Sequence, residues 1–532
     1  MTNAPSINLT NHNGFKWHSN SVITIKGYFF DSNNILYENA NTLEFFKKID
    51  NEAAFLEIVR TLNGIYTIII SINNQTLIAT DTSRIFPLFY GCKKHLLFIA
   101  DNIQTLKKEG FESEYDKDSE TEFKSSGYIL GKKTLLKNCF QTQSSEYLIF
   151  EENKLKKQGF YFSYSTNNTH NFKYDILKDK TIKIFEATFK RLEQSLNKRQ
   201  VVIPLSGGYD SRLIAVMLKK MNYKNVVCFT YGKKNSKEIN LSRLVAKELN
   251  FKWYFIEYTD ELVKGYLHSK TFKEYINFTT NYTSMPFLQE YFSVKYLKKN
   301  KLINDSAIFI PGHSGDFLGG SQFRKVIPVN LKTSQISSKL LRSKFDIAKL
   351  NRKEKVKIKS AIETQLIRFV KNINDKLAYS VFEDFDMKEK ISKFILNSSN
   401  VYNFFGYEQR FPFWDKELLV HFKKIPLNFK LDKMFYDDIL TNHYFMEHNV
   451  NFKNELQPSI NQVLFQNLKN KIKPLFPYSL KHELLVKKDS LNSHTMINDM
   501  LNDMKAPVEK YKSFNEVIIK WYLEASKKSI HE

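Results

Sequence analysis

The sequence predicts two unlike folded parts: an α+β sandwich, followed by a doubly wound parallel α/β sheet that continues into a helical C-terminal part. Residues 20–165 contain mostly short apolar or alternating runs broken by Asn-Asn, Gly and Asp, a pattern typical of antiparallel strands. From about residue 173, helix-like and strand-like segments alternate, which favours parallel strands joined by helices. Beyond residue 330 the chain is lysine-rich and helix-like, with few strand signals.

The first part has strand-like runs on both sides of two helix-like patches. SVITIKGYFF precedes the patches TLEFFKKI and AAFLEIVRTL, and GIYTIIISI, QTLIATD and HLLFIAD follow them. Strands that bury one face need a cover of helices or of a second sheet. We therefore predict a layered first domain over residues 1–168 and a second domain over residues 173–532.

The second part opens with an order of elements that sets the direction of its sheet. Segment 174–196 carries apolar residues at near-helical spacing, and the apolar run Val201 to Leu205 follows it. Further strands are expected at NVVCFTYG and KWYFIEY, with a helix between them that starts at a capping box of Asn235 and Glu238. This β-α-β-α-β order predicts a parallel sheet with helices on both faces.

Composition is that of an ordinary globular chain. Its 532 residues are too many for one core, and 42% hydrophobic with 26% charged residues argue against disorder. Cys92, Cys139 and Cys228 form no CxxC or Cys/His cluster, so we expect neither a disulfide framework nor a structural zinc site. With a polar start and no apolar run of about 18 residues, no signal peptide or membrane span is expected, and a cytoplasmic location fits best.

The formal net charge of +24 comes mainly from lysines that are scattered along the chain and interleaved with acids. Such a distribution is typical of a solvated surface, whereas a nucleic-acid partner would need a concentrated basic stripe. We therefore do not expect nucleic-acid binding, although an anionic partner is the alternative that the charge leaves open.

The stretch VVIPLSGGYDSRLIAVMLKK places two glycines between a strand-like run and a helix-like segment. At the carboxyl end of a parallel strand, such a turn opens into the crevice where ligands bind. Gly207 and Gly208 let backbone N–H groups approach a ligand, and Ser206 and Ser211 add hydroxyl donors at the start of a helix. Asp210 would repel a bare phosphate but suits a Mg²⁺ ion that phosphates bring with them. The alternative is a plain strand-to-helix turn with Ser or Asp as the helix cap.

Several segments resemble the asparagine synthetase branch of the ATP pyrophosphatases. Ser206 to Ser211 matches the SGGxDS loop of these enzymes, which cleave ATP between the α and β phosphates. PGHSGDFLGGSQF and YEQRFPFWDKELLVHFKKIP resemble two further segments of the asparagine synthetase group. LNGIYTIIISINNQTLIATDTSRIFPLFYG and LLFIAD resemble the family's glutaminase domain, which implies an αββα sandwich of the N-terminal-nucleophile (Ntn) type.

The resemblance implies a carbon–nitrogen ligase that forms AMP and pyrophosphate. Such an enzyme binds ATP and Mg²⁺, converts a substrate carboxylate to an acyl-adenylate, and transfers the acyl group to ammonia or an amine. The matching positions imply a nucleotide site at Ser206, Gly207, Gly208, Asp210, Ser211, Val227, Phe229 and Thr230, metal binding at Asp210 and Asp316, and substrate binding at Gly315 and Asp316.

The family also uses a lysine late in the chain to neutralise the departing pyrophosphate, because charge develops on the β-phosphate as the bond breaks. Lys433 and Lys453 are both candidates for this role. Among so many lysines, the sequence does not choose between them.

One departure from the family pattern concerns glutamine. Active relatives use a cysteine as the first residue of the mature chain to attack glutamine. Position 2 is Thr2 here, and a polar leader precedes the first predicted strand, which would hold Thr2 away from the sheet. We expect that glutaminase activity is lost, as in the β-lactam-forming and carbapenam-forming relatives.

A second departure concerns the predicted base. His313 stands where asparagine synthetases have Glu and β-lactam-forming relatives have Tyr, and an imidazole there could take the proton from an attacking amine. Glu408 aligns with the glutamate that orients the base in the ring-closing relatives, so we predict a His313 and Glu408 dyad. The alternatives are a loop histidine bonded to backbone, and an ion-pair cluster of Glu408, Arg410 and Asp415.

Two other functions remain open at this point. One is a nucleotide-dependent tRNA-modifying enzyme, although the sequence has no RNA-binding module or sulfur-carrying CxxC pair. The other is an ATP-binding scaffold without activity, against which the complete loop from Ser206 to Ser211 argues. The sequence gives neither the acid nor the amine, and it leaves open a homodimer.

Overall fold

A computed structural model describes residues 4–11, 14–111, 114–234, 236–323, 332–452, 486–507 and 511–531. In these ranges the chain forms two sheets of an N-terminal sandwich, then one parallel sheet, then a largely helical remainder. The predicted combination of α+β and α/β architecture is confirmed.

The N-terminal sandwich contains eleven strands and four helices in the described ranges. The strands are β1 Ser6–Asn8, β2 Trp17–Ser19, β3 Ile23–Phe30, β4 Leu36–Glu38, β5 Asn63–Ile72, β6 Gln75–Thr80, β7 Phe89–Lys93, β8 Leu96–Ala100, β9 Phe140–Gln141, β10 Glu146–Glu151 and β11 Lys154–Phe160. The helices are α1 Asn41–Phe46, α2 Glu52–Thr61, α3 Ile103–Lys108 and α4 Lys117–Ser126.

Two sheets make the inner layers of this sandwich. The larger has the order β11-β10-β6-β5-β3-β2 with β4 beside β3, and the smaller has the order β1-β8-β7-β9. Successive residues of a strand face opposite sides. Ile69 of β5 therefore packs between the two sheets, while Ile68 and Ile70 pack beneath α1 and α2. This alternation produces the αββα layering.

The chain enters the sandwich earlier than the sequence predicts. β1 runs parallel to β8, so the polar leader is not held away from the sheet. One carboxylate binds the leader at two places: Asp101 accepts hydrogen bonds from the backbone N–H and hydroxyl of Thr10 and from Trp17 Nε1. Thr2 lies outside the described residues.

The rest of the chain contributes five strands and sixteen α-helices within the described ranges. The strands are β12 Val201–Pro204, β13 Val226–Gly232, β14 Lys252–Glu257, β15 Ile308–Phe309 and β16 Glu408–Gln409. The helices are α5 Tyr174–Leu196, α6 Tyr209–Lys220, α7 Lys237–Glu248, α8 Asp260–Val263, α9 Lys270–Thr280, α10 Tyr291–Lys299, α11 Gly315–Gly319, α12 Thr333–Lys344, α13 Arg352–Phe369, α14 Ala378–Asp386, α15 Asn400–Phe405, α16 Lys416–Phe422, α17 Leu427–Lys430, α18 Met434–Ile439, α19 Ser493–Asp503 and α20 Phe514–His531.

The second part is built on a parallel sheet with the order β14-β13-β12-β15-β16. Val201 and Ile203 of β12 face one hydrophobic core, and Val202 between them faces another. Both faces of the sheet are therefore covered, as expected for a doubly wound sheet. The carboxyl ends of β12, β13 and β15 meet at one edge.

The start of α7 differs from the predicted capping box. Its N-cap is Ser236, whose hydroxyl accepts a hydrogen bond from the backbone N–H of Glu238. Asn235 lies outside the described residues. In the described ranges, no helix combines the length and the apolar character needed to cross a lipid bilayer.

Buried polar contacts join the sandwich to the helices that follow α14. Lys393 and Glu389, both on a π-helical segment at Met387–Ile395, form an ion pair with fully buried side chains. Lys393 Nζ also donates to the carbonyls of Ile129 and Gly131, and Glu389 accepts from the backbone N–H of Gly131 at 3.0 Å. The loop after α4 is thus bonded to the C-terminal helices through charged groups.

Candidate active site

The glycine turn lies at the carboxyl end of β12, where α6 begins. Ser211 Oγ accepts a hydrogen bond from the backbone N–H of Ser206 at 3.1 Å and lies 3.1 Å from Ser206 Oγ. Gly208 N–H donates to Ser206 Oγ at 3.2 Å. The two serines therefore fix the turn, and the N-terminus of α6 points into the space above it. This is the geometry of an anion cradle.

The segment after β15 passes directly over this turn. A Cβ atom added at Gly312 would lie 2.6 Å from the backbone nitrogen of Ser211, and one at Gly315 would lie 2.5 Å from Asp210 Cγ. Only glycine allows approaches this close. Two segments that are far apart in the sequence thus form one wall. Gly315 packs on Asp210 and does not line the cleft, which corrects its predicted role as a substrate contact.

A cleft of about 420 Å³ opens at this edge of the sheet. It is bounded by the glycine turn, the end of β13, the segment after β15 and residues from three helical regions. Its lining includes Ser206, Gly208, Tyr209, Asp210, Ser211, Phe229, Thr230, Tyr231, Glu238, Gln289, Glu290, Gly312, His313, Asp316, Lys433 and Leu491.

Asp210 is the most connected acid of the cleft. Its carboxylate accepts a hydrogen bond from the backbone N–H of Asp316 at 2.7 Å and one from the Tyr436 hydroxyl at 3.1 Å. Removal from water raises the pKa of Asp210 to about 7; the charge of Asp316 adds to this rise, and the ammonium of Lys433 opposes it. A cation at this position would relieve the repulsion between the two carboxylates.

Of the two candidate lysines, Lys433 lies in the cleft. Its Nζ donates to Asp437 Oδ1 at 2.9 Å and lies 5.5 Å from the Tyr209 ring centroid. The ammonium is thus held beside the glycine turn, where an anionic group would sit. Lys453 lies outside the described residues.

His313 lines the same cleft, next to Asp316. Removal from water lowers the pKa of His313 to about 4, although the nearby charge of Asp316 opposes this change. The imidazole is therefore neutral at pH 7 and can accept a proton.

Glu408 does not join His313, and the predicted dyad is wrong. Glu408 pairs with Ile308 in the first register position of β15, at the opposite end of the strand from His313. Its carboxylate accepts hydrogen bonds from Arg199 at 2.7 and 2.9 Å and contacts Arg410 at 3.0 Å. Burial would raise the pKa of Glu408, but the two guanidinium groups outweigh it and lower the pKa to about 2.

The alternative of a structural ion-pair cluster fits these residues better. Arg410 is fully buried, donates to Ser195 and lies 4.2 Å from the ring centroid of Tyr28 in the sandwich. Asp415 binds Arg191 through both carboxylate oxygens. These contacts hold α5 and the sandwich against the β16 region. None of the three charged residues lines the cleft.

Two of the three predicted adenine contacts lie in the cleft. Phe229 and Thr230 line the cleft, but Val227 pairs with Val202 inside the sheet and faces the hydrophobic core. Its position two residues before Phe229 explains the error, because a strand contacts a ligand at its end and not in its middle. The Thr230 hydroxyl donates to the carbonyl of Leu205 at 2.6 Å and so joins the ends of β12 and β13.

Sequence reasoning missed Glu290, a carboxylate on the far side of the cleft. Glu290 is 6% exposed and accepts hydrogen bonds from the hydroxyls of Tyr402 and Tyr231, the latter at 3.3 Å. Burial raises the pKa of Glu290 to about 7. The one signal in the sequence is an acid within the mostly apolar stretch MPFLQEYF, which belongs to none of the recognised motifs.

Replacing Glu290 with Gln should flatten part of the pH dependence of stability. An acid with a raised pKa contributes most below its unfolded pKa, and this contribution is lost as the pH rises towards the folded value of about 7. We expect the variant's free energy of unfolding, relative to that of the native protein, to be about 2 to 3 kcal/mol larger at pH 8 than at pH 5, so the variant gains relative stability as the pH rises. Urea unfolding at both pH values measures this difference. Glu186→Gln, at an exposed ion pair, is the control, and equal shifts for both variants would contradict the assignment.

The parallel sheet with a Ser-Gly-Gly-x-Asp-Ser turn at its carboxyl edge is the architecture of the ATP-pyrophosphatase class. A model of the asparagine synthase family matches residues 190–494. The chain belongs to the asparagine synthase family.

Individual relatives are distant. The chain is 23% identical over 273 residues to a probable glutamine-hydrolysing asparagine synthetase of Acanthamoeba polyphaga mimivirus, an alignment that covers 47% of this chain and 43% of the relative. It is 36% identical over 67 residues to the 7-cyano-7-deazaguanine synthase of Staphylococcus epidermidis, covering 12% of this chain and 30% of that protein. The chain thus spans less than half of either relative.

Among solved structures, the chain is similar to an ammonia-dependent NAD synthetase from Campylobacter jejuni. The sequence identity is 14%, the TM-score is 0.20, and the alignment covers 38% of this chain and 97% of the synthetase. The family assignment rests on the family match and not on this similarity.

Proposed function

We propose that the protein is an ATP-dependent carbon–nitrogen ligase that forms AMP and pyrophosphate. The observation that carries this proposal is the junction of two recognised segments: the glycine turn and the segment from Gly312 to Asp316 form one wall of a cleft that also contains Lys433. A cradle for anions, two carboxylates and a cation in one cleft suit a nucleoside triphosphate with its metal ion.

In this proposal the phosphates of ATP lie on the turn from Ser206 to Ser211, against the N-terminus of α6. Asp210 and Asp316 fit a Mg²⁺ ion, because this cation prefers one or two protein carboxylates together with phosphate oxygens and water. When bound, the ion supplies positive charge to the phosphate oxygens. Lys433 would neutralise the pyrophosphate that leaves.

The chemistry has two steps. A carboxylate oxygen of the substrate attacks the α-phosphorus, and the bond to the β-phosphate oxygen breaks to release pyrophosphate. The nitrogen of ammonia or an amine then attacks the acyl carbon, the bond to AMP breaks, and the nitrogen loses a proton. His313 accepts that proton, because its imidazole is neutral at pH 7. Activation is needed because a free carboxylate resists attack by amines.

The first test is pyrophosphate release by the purified protein with Mg²⁺ and ATP. A panel of carboxylic acids, aspartate among them, is offered with ammonium or with glutamine as the nitrogen source. We expect acid-dependent pyrophosphate release, amide formation with ammonium or another amine, and no glutamate from glutamine. Failure to bind ATP or to release pyrophosphate with any acid would contradict the proposal and favour a scaffold without activity.

Replacing His313 with Gln should separate the two steps. We expect amide formation to fall about 10²- to 10⁴-fold, the usual contribution of a general base. Acid-dependent exchange of pyrophosphate with ATP should persist, since that step needs no proton acceptor. Product formation and isotope exchange measure the two steps, and His268→Gln, at an exposed histidine, is the control. Equal loss of both steps would show that His313 holds the structure and not the proton.

A further inference from the structure

A second cavity, of about 50 Å³, lies between the sandwich and the helices of the second part. Strands β2 and β3 and the segment around Asp101 form one side of it. Phe278 and Asn281, at the end of α9, and Asn400 and Asn403, on α15, form the other. None of these residues lines the cleft described above.

Lys26 gives this cavity its charge. It lies on β3 opposite Trp17, is 9% exposed, and its Nζ lies 5.5 Å from the ring centroid of Trp17 and 5.4 Å from that of Phe86. Among the residues that the structure describes, none forms a hydrogen bond or an ion pair with this ammonium. Burial lowers the pKa of Lys26, and the charge of Asp101 opposes this change. The two rings compensate the buried ammonium in part, and an anion in the cavity would compensate it further.

The nearest acid is already occupied. Asp101 accepts from Thr10 N–H at 3.2 and 3.1 Å, from the Thr10 hydroxyl at 2.9 Å and from Trp17 Nε1 at 2.8 Å. These donors hold the leader of the chain to the sandwich. Asp101 therefore leaves the ammonium of Lys26 open towards the cavity.

The opposite wall can donate hydrogen bonds. The Asn281 side-chain nitrogen donates to the carbonyl of Phe278 at 3.0 Å, and that of Asn403 donates to Asn400 Oδ1 at 3.2 Å. Each amide nitrogen carries a second N–H, so each can donate one more hydrogen bond. The aromatic rings of Phe15 and Trp17 supply flat apolar surface beside these donors.

We propose that this junction cavity binds a small monocarboxylate, of the size of formate or acetate, with its oxygens on Lys26 and the asparagine amides. One negative charge matches one ammonium, and a space of about 50 Å³ suits a small anion. The charge of Asp101 disfavours a dianion such as phosphate. Because the cavity is walled by both parts of the chain, the bound carboxylate would also hold the two parts together.

The test measures binding of formate, acetate and phosphate by calorimetry and by thermal unfolding, at constant ionic strength. We expect formate or acetate to bind and to raise the unfolding temperature of the native protein. Lys26→Met should weaken that binding about tenfold or more, because a charged hydrogen-bond donor is lost. Asp101→Asn should tighten it, because a repulsive charge is removed.

Lys132→Met is the matched control, since Lys132 also lies over an aromatic ring, that of Phe140, but outside the cavity. Its affinity for acetate should equal that of the native protein. Equal acetate binding by Lys26→Met, no response to either carboxylate, or tighter binding of phosphate would each overturn the proposal. If Lys26→Met fails to fold, a native crystal grown with acetate decides the question, because ordered water alone in the cavity would also overturn it.

Discussion

Asp210→Asn is expected to reduce acid-dependent pyrophosphate release about 10²- to 10³-fold, the loss that follows when one preorganised charged contact is removed from a reacting centre. An Asn side chain has one acceptor oxygen. The variant therefore keeps one of the two hydrogen bonds that Asp210 accepts, either from Asp316 N–H or from the Tyr436 hydroxyl. It loses the negative charge that we assign to Mg²⁺. Steady-state rates across a Mg²⁺ titration measure the effect, and excess Mg²⁺ should restore little activity.

Asp438→Asn is a suitable control, because Asp438 binds Lys178 and Tyr174 away from the cleft. Its rate should stay close to that of the native protein. If Asp210→Asn retained full activity with an unchanged Mg²⁺ requirement, Asp210 would not be a metal ligand. The metal would then be held by the phosphates and Asp316 alone.

Glu408→Gln should destabilise the protein by about 3 to 5 kcal/mol, because removing one partner of a buried pair leaves the other charge uncompensated. The charge left without its carboxylate partner is that of Arg410, which is fully buried beside Tyr28. The catalytic rate per folded molecule should not change, since Glu408 lies at the other end of the sheet from His313. Urea unfolding and a rate corrected for the folded fraction measure the two effects.

The pH dependence gives an independent check. Glu408 has a lowered pKa of about 2, so its stabilising contribution is complete above its unfolded pKa of about 4.5 and is lost as the pH falls towards 2. The native protein should lose stability over this range more steeply than Glu408→Gln. Glu417→Gln, which removes a half-exposed partner of Arg191, should cost less than about 1 kcal/mol. A large fall in rate for folded Glu408→Gln would restore the predicted dyad.

Local patterns were enough to predict the architecture. Short apolar or alternating runs along β3 and β5 mark a layered sheet, and the order of elements from β12 to β14 marks a parallel one, because each pattern follows from which faces a strand must bury. The glycine turn was placed correctly for the same reason. Because a strand ends just before Ser206 and a helix begins just after it, the turn must lie at the carboxyl edge of the parallel sheet.

The errors concern residues whose position depends on contacts distant in the sequence. Glu408 shares a short motif with Arg410, and the motif does not reveal that Glu408 is the first residue of β16, paired with Ile308 and bound by Arg199 and Arg410. Glu290 has no motif at all and reaches the cleft because α10 packs beneath the sheet. Val227 was misplaced by two residues along a correctly predicted strand.

The predicted boundary near residue 170 suggests that the second part of the chain could be prepared alone, but the buried pair of Lys393 and Glu389 makes this impractical. In a fragment without the sandwich, Lys393 Nζ would lose the carbonyls of Ile129 and Gly131, and Glu389 would lose the Gly131 N–H. The two ionised side chains, which are fully buried in the whole chain, would then lie at a surface that the sandwich no longer covers. Such a truncated product should precipitate or stay with chaperones when expressed, so biochemical work on this chain needs its full length.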